Sequence, residues 1–287
     1  MRILVTGATG FVGRNVVAQL VDKGVQVRAL TRNRAKASFP AAVEVAEGDL
    51  SDPSSLDGLF TGIDAMYLFP VEETATEVLA KARQAGVRRV VDLSAASVTV
   101  GLHDNPVEAA VERSGLEWTH VRPAGFMANQ LQLFAPMVRA RRTVRYPFGD
   151  VPMLMIHEAD IAAVAVAALL EDGHHEAVYT LTGGQAVTVR EQVAAIAAAL
   201  GETVRYEEVS REEAREILKA QSGFSAEAAD LMLGFSDYDG TEASSADGYS
   251  DQDWSALEKP WPDVEKVTGR EPRTFAEFAR DHAEDFR

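Results

Sequence analysis

Three glycines, Gly7, Gly10 and Gly13, stand three residues apart in the stretch VTGATGFVGRNVV, near the start of a 287-residue chain. Glycine at such positions lets backbone approach a ligand with no Cβ in the way, and lets a helix pack closely on the strand before it. Where a strand ends and a helix begins, the helix's first N–H groups and the positive end of its dipole suit a pyrophosphate. The first chemistry these residues suggest is dinucleotide binding. A second group decides which dinucleotide. NAD-binding folds often place an acid about 20 residues further on, at the end of the second strand, to bond the ribose 2′-hydroxyl. Here no Asp or Glu occurs from Lys23 to Val43, whereas Arg28, Arg32, Arg34 and Lys36 do. An arginine fork in that place suits a 2′-phosphate, so NADP(H) is expected over NAD(H).

The elements that must position these residues are readable from periodicity. Short apolar runs at 2–6, 25–30, 42–49, 64–69, 87–95 and 116–123 predict six strands. Between them lie helical patterns at 11–24, 74–86 and 107–114. In the first, Phe11, Val12, Val16, Val17, Leu20 and Val21 share one face and Gly24 stops the helix. Strands that read as continuous apolar runs are buried on both faces, and their alternation with helices predicts a Rossmann-type doubly wound parallel sheet, an α/β fold. After Pro123 the rhythm loosens. A seventh strand is expected at 151–157, with Asp160 capping the alanine-rich helix that follows, and a further strand at 177–184. A smaller α/β C-terminal lobe ends in an amphipathic helix. The expected division is 1–124 plus 151–180 for the nucleotide-binding domain, and 125–150 plus 181–287 for the smaller substrate lobe. The stretch 236–253, acidic and small, reads as a long exposed loop.

Composition narrows the function classes. The chain has no cysteine, which removes disulfides and cysteine nucleophiles, and its longest apolar run, 161–170, is too short to cross a bilayer. Net charge is −16, of which −12 falls in 202–287 (22 acids against 10 bases). Such a surface repels phosphate backbones, so no nucleic-acid partner is expected, nor a membrane. The N-terminus shows no secretory pattern, and a cytoplasmic location is expected. His174 and His175 are adjacent and cannot share a helical face, so no metal site is expected. Arg139, Arg141, Arg142 and Arg145 form either a solvated face or a site for an anionic substrate.

Taken together, GATGFVG, LTRN, EGDLSDPSSL, LSAASV and SGLEWTHVRPAGFMANQL resemble the atypical short-chain dehydrogenase/reductases, and within them the NmrA-like NAD(P)-binding group. The resemblance spans most of the chain. It implies that Gly7, Thr9, Gly10, Phe11 and Val12 hold the pyrophosphate, and that Arg32 and Asn33, with Arg34 beside them, meet the adenosine ribose or its phosphate. It further implies that Asp49 and Leu50 flank adenine, and that Leu68 and Phe69 run along the cofactor. Ser94 would sit near the nicotinamide ribose, Pro123 and Phe126 would border the nicotinamide, and Met127 and Asn129 would face substrate. By residue type Met153, with Phe126 and Met127, suggests an apolar pocket, and Trp254 and Trp261 are expected either to roof the cleft or to pack against the second lobe.

Catalytic relatives carry Tyr-x-x-x-Lys, in which the tyrosine moves a proton and the lysine lowers its pKa. No such motif occurs in this chain; counting back from Glu108, Val100 and Asp104 occupy those positions. The candidates for the proton are His103, which otherwise reads as a loop histidine near a helix start, Tyr67 at the end of the fourth strand, which otherwise reads as a core aromatic, and a bound water. The expected activity is an NADPH-dependent reductase acting on a hydrophobic carbonyl, quinone or conjugated enone. The alternative is a non-catalytic NADP(H) sensor that reports through a protein partner.

Overall fold

The computed structural model describes residues 1–102, 104–236 and 258–287. His103 and Trp254 lie outside the described residues, as does nearly all of the acidic stretch 236–253.

The strands in chain order are β1 (Arg2–Val5), β2 (Gln26–Thr31), β3 (Glu44–Glu47), β4 (Ala65–Leu68), β5 (Arg89–Leu93), β6 (Glu117–Pro123), β7 (Gly125–Phe126), β8 (Thr143–Tyr146), β9 (Met153–Ile156), β10 (Ala177–Leu181), β11 (Ala186–Val187) and β12 (Arg205–Glu208). Seven of them form one parallel sheet in the order β10-β6-β5-β4-β1-β2-β3. The order runs outward from β1 through β2 and β3, then reverses through β4, β5 and β6. Ligands in such sheets bind at the carboxyl ends of the strands, where the order reverses.

Alternation of side chains sorts the strands between two helical layers. Ile3, Val5, Tyr67, Val91 and Val121 join the cluster beneath helices Phe11–Asp22 and Glu158–Leu170. Leu4, Met66, Leu68 and Val90 join the opposite cluster, beneath helices Ala75–Gln84 and Pro106–Arg113. The helix Glu158–Leu170 is apolar nearly all round, and most of its residues are buried.

The C-terminal lobe has its own apolar cluster, which includes Phe134, Val193, Ile196, Leu218 and Phe278. Two small sheets belong to it, β11-β9-β7 and β12-β8. The stretch 151–157 does form a strand, but β9 pairs with β7 and β11 and not with the large sheet. Its side chains divide: Ile156 joins the nucleotide-side cluster, and Met153 and Met155 the lobe cluster.

One local expectation is corrected. His157, not Asp160, caps the alanine-rich helix, its Nδ1 accepting from the Ala159 N–H at 3.1 Å. Asp160 lies within the first turn and is held elsewhere: it accepts from the Arg273 backbone N–H at 2.6 Å and pairs with the Arg273 guanidinium.

Candidate functional site

The glycine turn is built as its spacing requires. Gly7 has φ of +58°, a left-handed conformation that disfavours any side chain, and a Cβ there would meet the ring of Phe69. A Cβ on Gly13 would run into the Gly7 carbonyl. Gly10 caps the helix Phe11–Asp22 without a side-chain bond, and the Arg14 N–H returns to the Gly10 carbonyl at 3.0 Å. The N–H groups of Phe11, Val12 and Gly13 therefore stand at the open helix end, with no acid in the first turn to compete for them. Thr6 fixes the floor of the turn. Its hydroxyl donates to the Tyr67 carbonyl (3.0 Å) and accepts from the Phe69 N–H (2.7 Å), tying the end of β1 to the end of β4. This cradle fits a dinucleotide pyrophosphate: it is open, positive at the helix end and made of backbone.

At the end of β2, Thr31 Oγ1 accepts from the Asn33 N–H at 3.2 Å, and Asn33 Oδ1 accepts from the Lys36 N–H at 3.2 Å. The turn leaves Arg32, Asn33 and Arg34 exposed. Neither guanidinium has an ion-pair partner among the described residues. Across the sheet edge, Glu47 Oε2 accepts from the Arg34 N–H at 2.9 Å. Sequence spacing missed this acid. It lies outside the 20-residue interval but is brought beside the turn because β3 pairs with β2, Thr31 opposite Glu47. Asp49 is half-buried, its Oδ1 accepting from the Ser51 N–H, and the Leu50 side chain is buried while its carbonyl accepts from Thr74.

Along the carboxyl edge, Phe69 is 44% exposed, a large ring left uncovered beside the glycine turn. Leu68 and Pro123 are buried, and Ser94, Phe126, Asn129 and Met153 are half-buried. Phe11, Phe126, Phe148 and Met153 pack on the lobe cluster from its partly open side. Met127, expected to face substrate, is 2% exposed and packs inside that cluster. Tyr67 is 1% exposed in the sheet core, and burial, helped by the charge of Asp92, pushes its phenol far above the ordinary range. It is a packing residue and no proton donor to the cleft. Three of the four clustered arginines are engaged within the lobe: Arg139 donates to the Asp285 carbonyl, Arg142 pairs with Glu202, and Arg145 with Glu207 and Glu213, while Arg141 is exposed.

Directly under Ser94 lies a buried polar network that periodicity gave no reason to expect. Asp92, His120 and Arg122 take alternate positions on β5 and β6, on the face covered by helix Pro106–Arg113. Glu108 of that helix forms a bidentate pair with Arg122 (2.8 and 2.6 Å). Burial alone would raise the Glu108 carboxyl, but the Arg122 hydrogen bonds, with Ser94 and His120, hold it below its usual value. Asp92 Oδ1 lies 2.7 Å from His120 Nδ1, both residues fully buried. Burial opposes a charge on His120, yet Asp92 and Glu108 together keep its pKa raised. Asp92, Glu108 and His120 are close enough to surround an ion, but Glu108 is already spent on Arg122 and Asp92 Oδ1 on His120. Asn105 joins the network to the site. Its Oδ1 caps the helix at Val107 (2.9 Å), and its Nδ2 donates to Ser94 Oγ (2.8 Å).

A doubly wound sheet with a phosphate cradle at its point of reversal, and a second lobe beside its carboxyl edge, defines an NAD(P)-binding Rossmann-fold oxidoreductase. The NmrA-like family model matches residues 1–279, and the chain belongs to that family. It is 37% identical to the (4-alkanoyl-5-oxo-2,5-dihydrofuran-3-yl)methyl phosphate reductase of Streptomyces griseus, over 99% of both chains. It is 34% identical to the NAD(P)H azoreductase of Xenophilus azovorans, again over 99% of both. Among solved structures, an NADPH-dependent quinone oxidoreductase from Escherichia coli superposes with a TM-score of 0.74 at 26% identity, covering 97% of this chain and 98% of that one. No helix among the described residues is long and apolar enough to cross a membrane.

Proposed function

We propose that the chain is an NADPH-dependent reductase acting on a small hydrophobic acceptor with a conjugated π system, a quinone or an enone. The observation that carries this reading is the carboxyl edge itself: a backbone phosphate cradle with the exposed Phe69 ring and the half-buried Phe11, Phe126 and Met153 around it. In this reading Gly7, Thr9, Gly10, Phe11 and Val12 hold the pyrophosphate. Arg32, Asn33 and Arg34 take the 2′-phosphate end, Asp49 and Leu50 the adenine, Ser94 the far ribose, and Pro123 and Phe126 the nicotinamide. Asn129 and Met153 meet the acceptor from the lobe. When bound, the dinucleotide supplies the hydride.

The protein's own part is to orient and to exclude water. Tyr67 is sealed in the core, and Val100 and Asp104 stand where a tyrosine and lysine would move a proton. An acceptor that becomes a delocalised anion after hydride addition, such as an enolate or a quinol anion, can wait for a proton from water. The relatives support the conjugated π system: the Streptomyces enzyme is named for a phosphate ester whose ring alkene is activated by two carbonyl groups, and the Escherichia coli protein for quinones.

The test is absorbance at the reduced-nicotinamide band, with NADPH and a panel of quinones, acylated dihydrofuranones and simple ketones. Turnover of the first two classes and not the third is expected. Tight NADPH binding with no turnover across the panel would replace this reading with that of a dinucleotide sensor.

A further inference from the structure

The adenosine end of the site carries two opposite charges at one turn. Arg32 and Arg34 are exposed and without ion-pair partners among the described residues, as a 2′-phosphate would require. Glu47 closes the same turn from the other side. It is the last residue of β3, lies opposite Thr31, the last residue of β2, and is exposed. One carboxylate oxygen, Oε2, accepts from the Arg34 N–H at 2.9 Å. The other has no partner among the described residues. An acid at the carboxyl end of β2 is how a Rossmann fold bonds the 2′-hydroxyl of an unphosphorylated ribose. Here the end of β2 has none, and sheet pairing delivers one from β3.

Building on the cofactor reading above, we propose that Glu47 sets the dinucleotide selectivity of this protein. It offers its free oxygen to the ribose 2′-hydroxyl of NADH, and its charge opposes the 2′-phosphate of NADPH that Arg32 and Arg34 attract. The site therefore takes both dinucleotides, and Glu47 narrows the preference that the arginines create. The backbone bond to Arg34 makes the arrangement specific. The carboxylate cannot swing away from the turn without releasing the N–H it holds, so its charge stays beside the arginines.

Glu47→Gln isolates the charge. The amide oxygen still accepts from the Arg34 N–H, so the turn keeps its shape, and the position is exposed, so folding is not at stake. NADPH and NADH are titrated separately into the unmodified protein and the variant, and dissociation constants are read by calorimetry. NADPH is expected to bind several-fold tighter to the variant and NADH several-fold weaker, so that the ratio of the two constants moves by about tenfold, the size expected when a hydrogen bond to a charged group is lost. Equal weakening of both would mean that Glu47 only braces the turn, and two unchanged dissociation constants would mean that its carboxylate does not reach the ribose; either result overturns the inference. If the unmodified protein bound neither dinucleotide, the cofactor reading itself would fail, an outcome distinct from both.

Discussion

Adding one carbon at Gly13 would press a Cβ into the Gly7 carbonyl and close on Ala8. Both obstacles are backbone, which cannot swing aside as a side chain can. Gly13→Ala is therefore expected to destabilise the fold by about 1–3 kcal/mol, read as a lower urea midpoint, and to weaken dinucleotide binding. Arg32→Ala should leave stability alone, since the side chain is exposed, while lowering NADPH affinity about tenfold and NADH affinity hardly at all. Equal affinities before and after would remove Arg32 from the 2′-phosphate site. At this scale the sequence was legible where a residue type alone carries the constraint. A glycine forced to φ of +58° or pressed against a carbonyl shows itself by being glycine. Glu47 did not show itself, because what matters is its pairing across β2 and β3, and register is not a local property. Met127 misled for a related reason: its place beside Phe126 was legible, but which of the two is covered depends on a lobe assembled from residues up to Phe286.

Among the elements, helix Pro106–Arg113 is bound to the sheet by charge as well as by apolar packing. Glu108 is 5% exposed, and both of its carboxylate oxygens accept from the Arg122 guanidinium. Removing one member of such a pair leaves the other as an uncompensated buried charge. Glu108→Ala is expected to cost about 3–5 kcal/mol, and the double variant Glu108→Ala/Arg122→Met markedly less than the sum of the two single changes. Additive losses in urea denaturation would mean that the pair is not a unit. The strands and helices of the nucleotide-binding half were readable because each run is long, periodic and bounded by turn residues. The ion pair was not, since a charged residue in a strand buried on both faces makes sense only once its partner on the covering helix is known. The cap at His157 was hidden differently: an acid in the first turn is the commoner signal, and Asp160 supplied one while doing other work.

At the scale of the whole molecule, the C-terminal segment is fastened to the first turn of helix Glu158–Leu170 through two buried carboxylates. Asp160 takes Arg273, and Glu158 takes His282 Nε2 at 2.6 Å while Asp285 takes its Nδ1 at 2.8 Å. With a carboxylate at each ring nitrogen, His282 is best served as an imidazolium. Burial opposes that charge, but Glu158 and Asp285 prevail and raise its pKa. A raised folded-state pKa adds stability that is complete below the unfolded histidine value of about 6.5 and is lost as pH climbs through the folded value. His157 beside it runs the other way. Burial lowers its pKa, so its contribution is present above about 6.5 and fades as pH falls. Glu158 is held low, chiefly by His282 against the effect of burial, and its contribution fades only as pH drops below the ordinary carboxylate range. Because His157 and His282 oppose each other, the unmodified protein alone would show a flattened profile near neutrality. His282→Gln separates them. The melting temperature lost in that variant should be largest near pH 5.5 and shrink towards pH 9, as the imidazolium it replaces disappears. A loss that stayed constant across that range would mean that His282 packs against Phe278 and Glu158 as a neutral ring, and that the clamp holding the C-terminal segment is not charged.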